Sequence, residues 1–438
     1  MTKTVKKVKR RTIWTMGFAM LGDFGESQIA NSMFPAIRDA LGLSTSALGT
    51  ITAVRRAALA ISMPIWGAIS DRYTRKGILM WITGVWGIWT LFTGFAQNYT
   101  QFLILTLISS IGLAAIDGPL SSLISDMFPV EERGKAFGTI KAIAYLAIAP
   151  TLMLFSSLAK QSPATGWRIA FWLFGGLSLL SALLIWLFIE EPVRGASEDA
   201  LSGISEDAVA KEAAKNPFEL SKIRTLFHFP TFMVILADRF LFSVPAIIIV
   251  AFSTTWFVDD LGIAPGDAIM FTLAGVMGLL LGSYIGGVVG GRQLEKPDSA
   301  RRHLITGHLA QVGLAVAWLL TFGVKWSNVY VAVALLTLVA FFLEFRSVGI
   351  IKVVISRVML PEVRSSGFGI DRTVDSVGRV IAALLIGQLA DTMGIGKAAF
   401  SIGGVIVILM IAVYFLYYRF YATDAEAIQS QLATRAKS

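Results

Sequence analysis

Asp23 and Glu26 stand three residues apart in a run that is otherwise almost wholly apolar, with Ser27 beside them. On a helix that spacing puts both carboxyls on one face. Arg55 and Arg56 interrupt the next apolar run and Asp117 a later one; Glu344, Arg346 and Arg379 do the same in the second half. A charge at the centre of a lipid-embedded helix costs about 2.5–3.5 kcal/mol on insertion scales, so such residues face a cavity or a partner. A guanidinium grips a carboxylate or phosphate through two parallel hydrogen bonds. A carboxyl poised between burial and a neighbouring arginine is suited to carry a proton. Arg55, Arg56, Arg346 and Arg379 are therefore candidate anion ligands, and Asp23, Glu26, Asp117 and Glu344 candidate proton carriers. Exchange of partners between substrate and protonated acid would couple the two fluxes. The same residues also read as structural pairs: Glu26 with Arg55, Glu344 with Arg346 or Arg379, and Asp375 with Arg379 four positions on.

The elements holding these charges follow from composition. Of 438 residues, 55% are hydrophobic and 40 more are glycine, whereas only 15% are charged. Soluble domains carry about 25% charge. A water-soluble fold could not cover itself with so little polar surface, and apolar runs of membrane-spanning length recur throughout. The pattern predicts an all-α membrane protein with twelve spans near 13–37, 46–69, 77–96, 101–127, 137–159, 167–190, 230–257, 267–290, 303–323, 328–357, 369–391 and 397–420. Residues 1–12 form a basic tail, 13–190 a first six-helix bundle, 191–229 a polar linker, 230–420 a second bundle and 421–438 a tail.

Charge placement fixes the orientation. The formal net charge is +9, but the excess sits in the N-terminal tail and in alternate loops, which reports topology rather than nucleic acid. Both termini, the linker and the loops with Arg72, Arg75, Lys76 and Arg133 fall on the inner side of a cytoplasmic membrane. Asp238, Arg239, Asp371, Arg372 and Asp375 lie within about three turns of inner helix ends. Gly278, Gly282, Gly286 and Gly290 recur every four residues in span 8 and predict close helix packing. Trp81, Trp167, Trp256 and Trp326 near span ends fit an interfacial belt, while Trp86 and Trp89 are expected to face lipid.

The halves repeat in register. Arg133-Gly-Lys-Ala-Phe-Gly138 answers Arg364-Ser-Ser-Gly-Phe-Gly369, and Leu21-Gly-Asp23 answers Leu236-Ala-Asp238. The end of span 2, Gly67 to Arg72, answers Gly287 to Arg292 at the end of span 8. Both halves start on one side, so the repeat is parallel, about an axis along the membrane normal.

Gly67-Ala-Ile-Ser-Asp71-Arg72-Tyr-Thr74-Arg75-Lys76 resembles the G-x-x-x-D-R-x-G-R-R/K signature of the major facilitator superfamily of secondary transporters, with Thr74 where glycine is usual. The resemblance extends through the twelve spans and the central linker. It implies two six-helix bundles that alternate in access, with Asp71 facing the start of span 11 to close the inner side. The expected inner gate comprises Asp71, Arg72, Arg75, Lys76, Arg133, Arg372 and Asp375. Two departures point away from drug/proton antiporters of this superfamily: Ile108 stands where many proton-coupled members have arginine, and Ala144–Pro150 lacks the glycine-proline motif. Gly166-Trp167-Arg168 resembles organic-anion and Spinster-like branches.

Other chemistry finds little support. There is no cysteine, no phosphate-binding glycine loop and no serine in a nucleophile elbow. His228, His303 and His308 form no metal-ligand cluster. The expected function is transport of a small organic anion or zwitterionic amphiphile coupled to H⁺, by a monomer without metal or cofactor. The alternatives are export of hydrophobic cations, a membrane-embedded enzyme or a non-transporting receptor.

Overall fold

The computed structural model describes residues 3–72, 74–113, 120, 123–124, 127–128, 136, 139–140, 143, 146–191, 224, 226–294, 299–351, 354–355, 358–359 and 364–435. The ordered elements among these residues are helices, with no strand. The chain divides into two compact units, Met1–Lys215 with Ala264–Met270, and Asn216–Ile263 with Phe271–Ser438.

The first unit opens with α1 (Lys3–Ser32) and α2 (Phe34–Leu41), broken at Met33 where Pro35 enters the first turn of α2. The basic residues expected to form a tail are part of α1 from Lys3 onward. Lysine and arginine are good helix formers, and no glycine or proline interrupts the run. Next come α3 (Ser46–Arg72) and a composite rod of α4 (Arg75–Leu79), a π turn (Met80–Gly84), a 3₁₀ turn (Val85–Gly87) and α5 (Ile88–Thr93). The unit continues with α6 (Tyr99–Leu113), α7 (Ile148–Gln161) and α8 (Gly166–Phe188). The composite rod is irregular where it presses on α8: a Cβ on Gly84 would strike Ala182, and one on Gly87 would strike Ser178.

In the second unit, α9 (Pro230–Ile247), a π turn (Ile248–Phe252) and α10 (Ser253–Asp259) make one rod. Pro245 has no N–H for the helical ladder, and the π turn follows it. Then come α11 (Pro265–Leu294), whose opening residues group with the first unit, α12 (Ser299–Gly323), and α13 (Val329–Arg346) running into a π turn (Ser347–Ile351). The chain ends with α14 (Arg364–Met393), α15 (Ile395–Ala398), a π turn (Ala399–Gly403) and α16 (Gly404–Arg435).

Seven of the described helical segments are long and apolar enough to cross a bilayer. Their outward faces agree. Leu180, Leu183, Trp186 and Leu187 of α8 are exposed, as lipid contact requires. Because lipid tails are as apolar as leucine, helix association rests on close fit rather than on the hydrophobic effect. Cβ atoms on Gly278, Gly282 and Gly286 of α11 would meet the carbonyl oxygens of Thr337, Phe341 and Phe345 of α13. Both partners step by four residues, so the small-residue stripe expected from sequence is a helix–helix seam.

Several helix ends are closed by side chains. Asp424 in α16 accepts the Thr231 backbone N–H at 2.8 Å and caps α9. Arg168 donates to the carbonyls of Gly94 and Ala96 at 2.9 and 2.6 Å, just past the end of α5, and its guanidinium lies 4.2 Å from the Trp167 ring. Gly166-Trp167-Arg168 thus performs a local packing task. Asp260 accepts the Gly396 N–H at the start of α15, where Gly394 takes φ of +83°. Partial burial raises the Asp260 pKa despite the backbone hydrogen bonds from Gly396 and Ile395.

The tryptophans divide differently from the expected belt. Trp81 is exposed, but Trp167 and Trp256 are buried. Trp167 packs edge-on against Phe102 and Phe171. Trp86 does not turn wholly to lipid either; its indole N–H donates to the Ile108 carbonyl at 2.7 Å. For Trp86, an acceptor inside satisfies the N–H that hydrocarbon would leave unpaired.

Candidate functional site

In the first unit, α1 brings Asp23 and Glu26 onto one wall of a small polar recess, as their spacing predicts. The opposing walls are Trp86, Gly87 and Thr90 from the composite rod, Ser109 from α6 and Ser178 from α8. The recess holds about 10 Å³, room for about one water molecule. Glu26 is 6% exposed. Thr90 hydrogen-bonds to the Glu26 carboxyl, and Arg55 of α3 acts on it electrostatically. Arg55 Nη1 itself donates to the Ser27 carbonyl at 2.5 Å. The expected neighbourhood of Glu26 and Arg55 is present, but the hydrogen bond of Arg55 goes to the backbone one residue away. That bond fixes one nitrogen of the guanidinium. Arg56, next in the helix, is half-buried.

The second unit carries a longer array of buried charge. Arg346 of α13 is paired with Asp238 of α9, their side chains 1% and 2% exposed. Tyr417 of α16 donates to the other Asp238 oxygen at 3.3 Å. Arg239, the next residue of α9, donates to Asp371 of α14 at 2.8 Å and to Ser347 at 3.3 Å. Asp238 and Asp375 also act electrostatically on Arg239. One turn along α14, Arg379 donates to Asp375 at 2.8 Å. Acids and bases thus alternate from α13 through α9 to α14. Removing any one member would leave its neighbour charged in a low-dielectric interior.

The array brings together Arg346, Arg379 and Asp375 from the sequence-derived candidates. It replaces the expected partner of Arg346: Glu344, two positions away, faces another side of the helix, whereas Asp238 faces Arg346 across the bundle. Arg372 is exposed, while Asp375 is buried. Asp238, Arg239 and Asp371 are central to the array although sequence reasoning left them out of the site. The available signal was the repeat, which aligns Asp238 with Asp23.

For the inner-gate candidates, Lys76 is the informative residue. Its backbone N–H donates to Glu191 Oε2 at 2.7 Å, and its Nζ donates to the Trp186 carbonyl at 2.8 Å. A carboxylate at the start of α4 and an ammonium at the end of α8 each suit the helix dipole they meet. Asp71 and Arg72 occupy the last turn of α3, and Arg75 opens α4; their side chains lie outside the described set. Asp117 and Arg133 lie outside the described residues. Among the described residues no group of three or more His, Cys, Asp or Glu could hold a metal ion.

The Major Facilitator Superfamily family model matches residues 16–351. The chain is 25% identical over 383 residues to a probable sulfoacetate transporter of Cupriavidus necator, covering 85% of each protein. It is 30% identical over 198 residues to a probable 4-methylmuconolactone transporter of Cupriavidus pinatubonensis, covering 43% of each. With protein spinster homolog 1 of Xenopus laevis it shares 28% identity over 205 residues, covering 45% of this chain and 38% of the relative. The chain spans less than half the length of these last two relatives. Among solved structures, a bacterial homolog of the human lysosomal transporter Spinster superposes with a TM-score of 0.77 at 16% identity, covering 97% of this chain and 99% of the other. A D-xylose–proton symporter superposes with a TM-score of 0.69 at 14% identity, covering 93% and 96%. At these identities the structural likeness speaks to the fold.

Proposed function

The chain belongs to the major facilitator superfamily of membrane transporters, and from that premise we propose that it carries a small organic anion or a zwitterionic amphiphile by alternating access, coupled to H⁺. One observation carries the reading. In the first unit a guanidinium, Arg55, stands beside a buried carboxyl, Glu26, on neighbouring apolar helices. An arginine whose one nitrogen is fixed by the Ser27 carbonyl is held in place and keeps further N–H groups for an anionic ligand. Glu26 then competes with that ligand for the same positive charge. Anion arrival favours protonation of the carboxyl, and anion departure favours proton release.

The names of the relatives support this choice. Sulfoacetate, L-galactonate and cis,cis-muconate are small acids, ionised at neutral pH. Neither the relatives nor the fold suggest an enzyme. We assign Arg55 and Arg56 to anion binding, and Arg346 and Arg379, each already held by an aspartate, to its control. Asp23 and Glu26, with Asp117 and Glu344, take the proton role. Asp71, Arg72, Arg75, Lys76, Arg133, Arg372 and Asp375 form the inner gate. The protein works as a monomer in the cytoplasmic membrane with both termini inside.

Uptake into proteoliposomes tests the reading. Flux of sulfoacetate, or of another small acid in a panel of sulfonates, aldonates and dicarboxylates, should change with the sign of an imposed pH gradient. Gradient-insensitive flux would remove proton coupling. Flux of hydrophobic cations with no flux of any acid would replace the anion reading with that of a cation exporter.

A further inference from the structure

A groove of about 510 Å³ opens between α1 and the end of α8, apart from every residue assigned to transport above. Its polar end is formed by Arg10 and Arg11, and its walls by Trp14 and Phe18 of α1 with Leu184 and Phe188 of α8. Among the described residues neither arginine forms an ion pair. Arg11 stacks 5.7 Å from the Phe188 ring centroid, which orients its guanidinium without neutralising it. The nearest acids in sequence to Phe188 are Glu190 and Glu191; neither lines the groove, and Glu191 is engaged by the Lys76 backbone. Trp14 is 61% exposed although it is a large aromatic residue.

The position in α1 matters. Residues 3–11 are rich in lysine and arginine, and the apolar run begins immediately after them. Arg10, Arg11 and Trp14 therefore lie where the hydrocarbon core gives way to headgroups, the level at which arginine and tryptophan anchor membrane helices. A groove facing the bilayer at that level, with two guanidinium groups at one end that pair with no acid among the described residues and hydrocarbon along the rest, matches an amphiphile with an anionic head. The volume far exceeds the needs of a phosphate ion, and such an ion would leave the apolar walls without contact.

We propose that this groove binds the phosphate headgroup and upper acyl chains of an anionic phospholipid. Arg10 and Arg11 hold the phosphate, as basic pockets between membrane helices do. Trp14, Phe18, Leu184 and Phe188 pack against the chains. A bound lipid bridges α1 and α8 at one end of the first unit and so strengthens a contact between two helices that carry Asp23, Glu26 and Ser178. The site is independent of the transported substrate, so its failure would leave the anion-transport reading untouched.

Native mass spectrometry of the full chain tests it, after purification in mild detergent and exposure to equimolar phosphatidylglycerol and phosphatidylcholine with identical acyl chains. The wild-type protein should retain phosphatidylglycerol over phosphatidylcholine by about tenfold or more, and the R10Q/R11Q double variant should retain the two alike. Equal retention by the wild type, or an undiminished preference in the double variant, overturns the proposal. A large excess of inorganic phosphate should leave phosphatidylglycerol bound; its complete displacement would mark a simple anion site and overturn the lipid assignment.

Discussion

Arg346 and Asp238 lie 108 positions apart in the chain and meet as a buried ion pair between α13 and α9. Tyr417 closes over the same carboxylate from α16. Loss of one partner is costly because the other stays charged where no water can reach it. Arg346→Gln should lower stability by about 3–5 kcal/mol, and adding Asp238→Asn should restore most of it. Thermal unfolding in detergent measures both; a double variant no better than the single would mean the two residues do not neutralise each other.

Arg55 offers the sharper test of substrate choice. Arg55→Gln removes the cation and shortens the group that reaches Ser27. Affinity for the transported acid should fall by about tenfold or more, with hydrophobic cation binding unchanged. Equilibrium binding with a labelled acid and a labelled cation separates these outcomes. An equal loss for both ligands would point to a folding defect.

Glu26→Gln keeps the shape of the side chain and its capacity to accept from Thr90, but it cannot exchange a proton. Accumulation driven by a pH gradient should fall to background, while exchange of internal for external substrate persists. Proteoliposomes loaded with unlabelled substrate report the second activity. Intact gradient-driven accumulation would take Glu26 out of the coupling path.

The carboxyl of Asp260 gives a pH signature outside the spans. Its pKa is raised in the folded protein by partial burial, so folding favours the protonated form. The resulting stability is fully present below the unfolded carboxylate pKa and is lost as pH rises through the folded value. Thermal unfolding across the acid range should show this decline, and Asp260→Asn should flatten it. An unchanged slope in the variant would assign the decline to other groups.

Gly282 and Gly287 provide a matched pair on α11. A side chain at Gly282 meets the backbone of Phe341, whereas one at Gly287 meets nothing within 4 Å. Gly282→Leu should destabilise by about 1–3 kcal/mol and Gly287→Leu by much less. Parallel thermal unfolding decides it; equal effects would mean that α11 and α13 do not pack through this seam.

Much of this arrangement was legible because membrane helices obey short-range rules. The three-residue step from Asp23 to Glu26 sufficed to place both on one wall, and the four-residue step of Gly278, Gly282 and Gly286 sufficed to predict a helix seam. The i, i+4 pair of Asp375 and Arg379 was readable for the same reason. Long-range partnerships were not. Arg346 has an acid two residues away in Glu344, and nothing local tells it to choose Asp238; that choice is made by how α9 and α13 pack. Trp167 and Trp256 likewise sit at span ends in sequence, but their burial depends on neighbouring helices. The helical start of α1 at Lys3 was not legible because a charge run says which side of the membrane it prefers and little about whether its backbone is helical.

That last feature has a practical side. A thirty-residue helix is about 45 Å long, against roughly 30 Å for the hydrocarbon slab. Because α1 is one unbroken helix from Lys3 to Ser32, its length exceeds the slab and its basic end extends beyond the hydrocarbon. A spin label or fluorophore attached on the turn of Arg10 and Arg11 would follow tilting of α1.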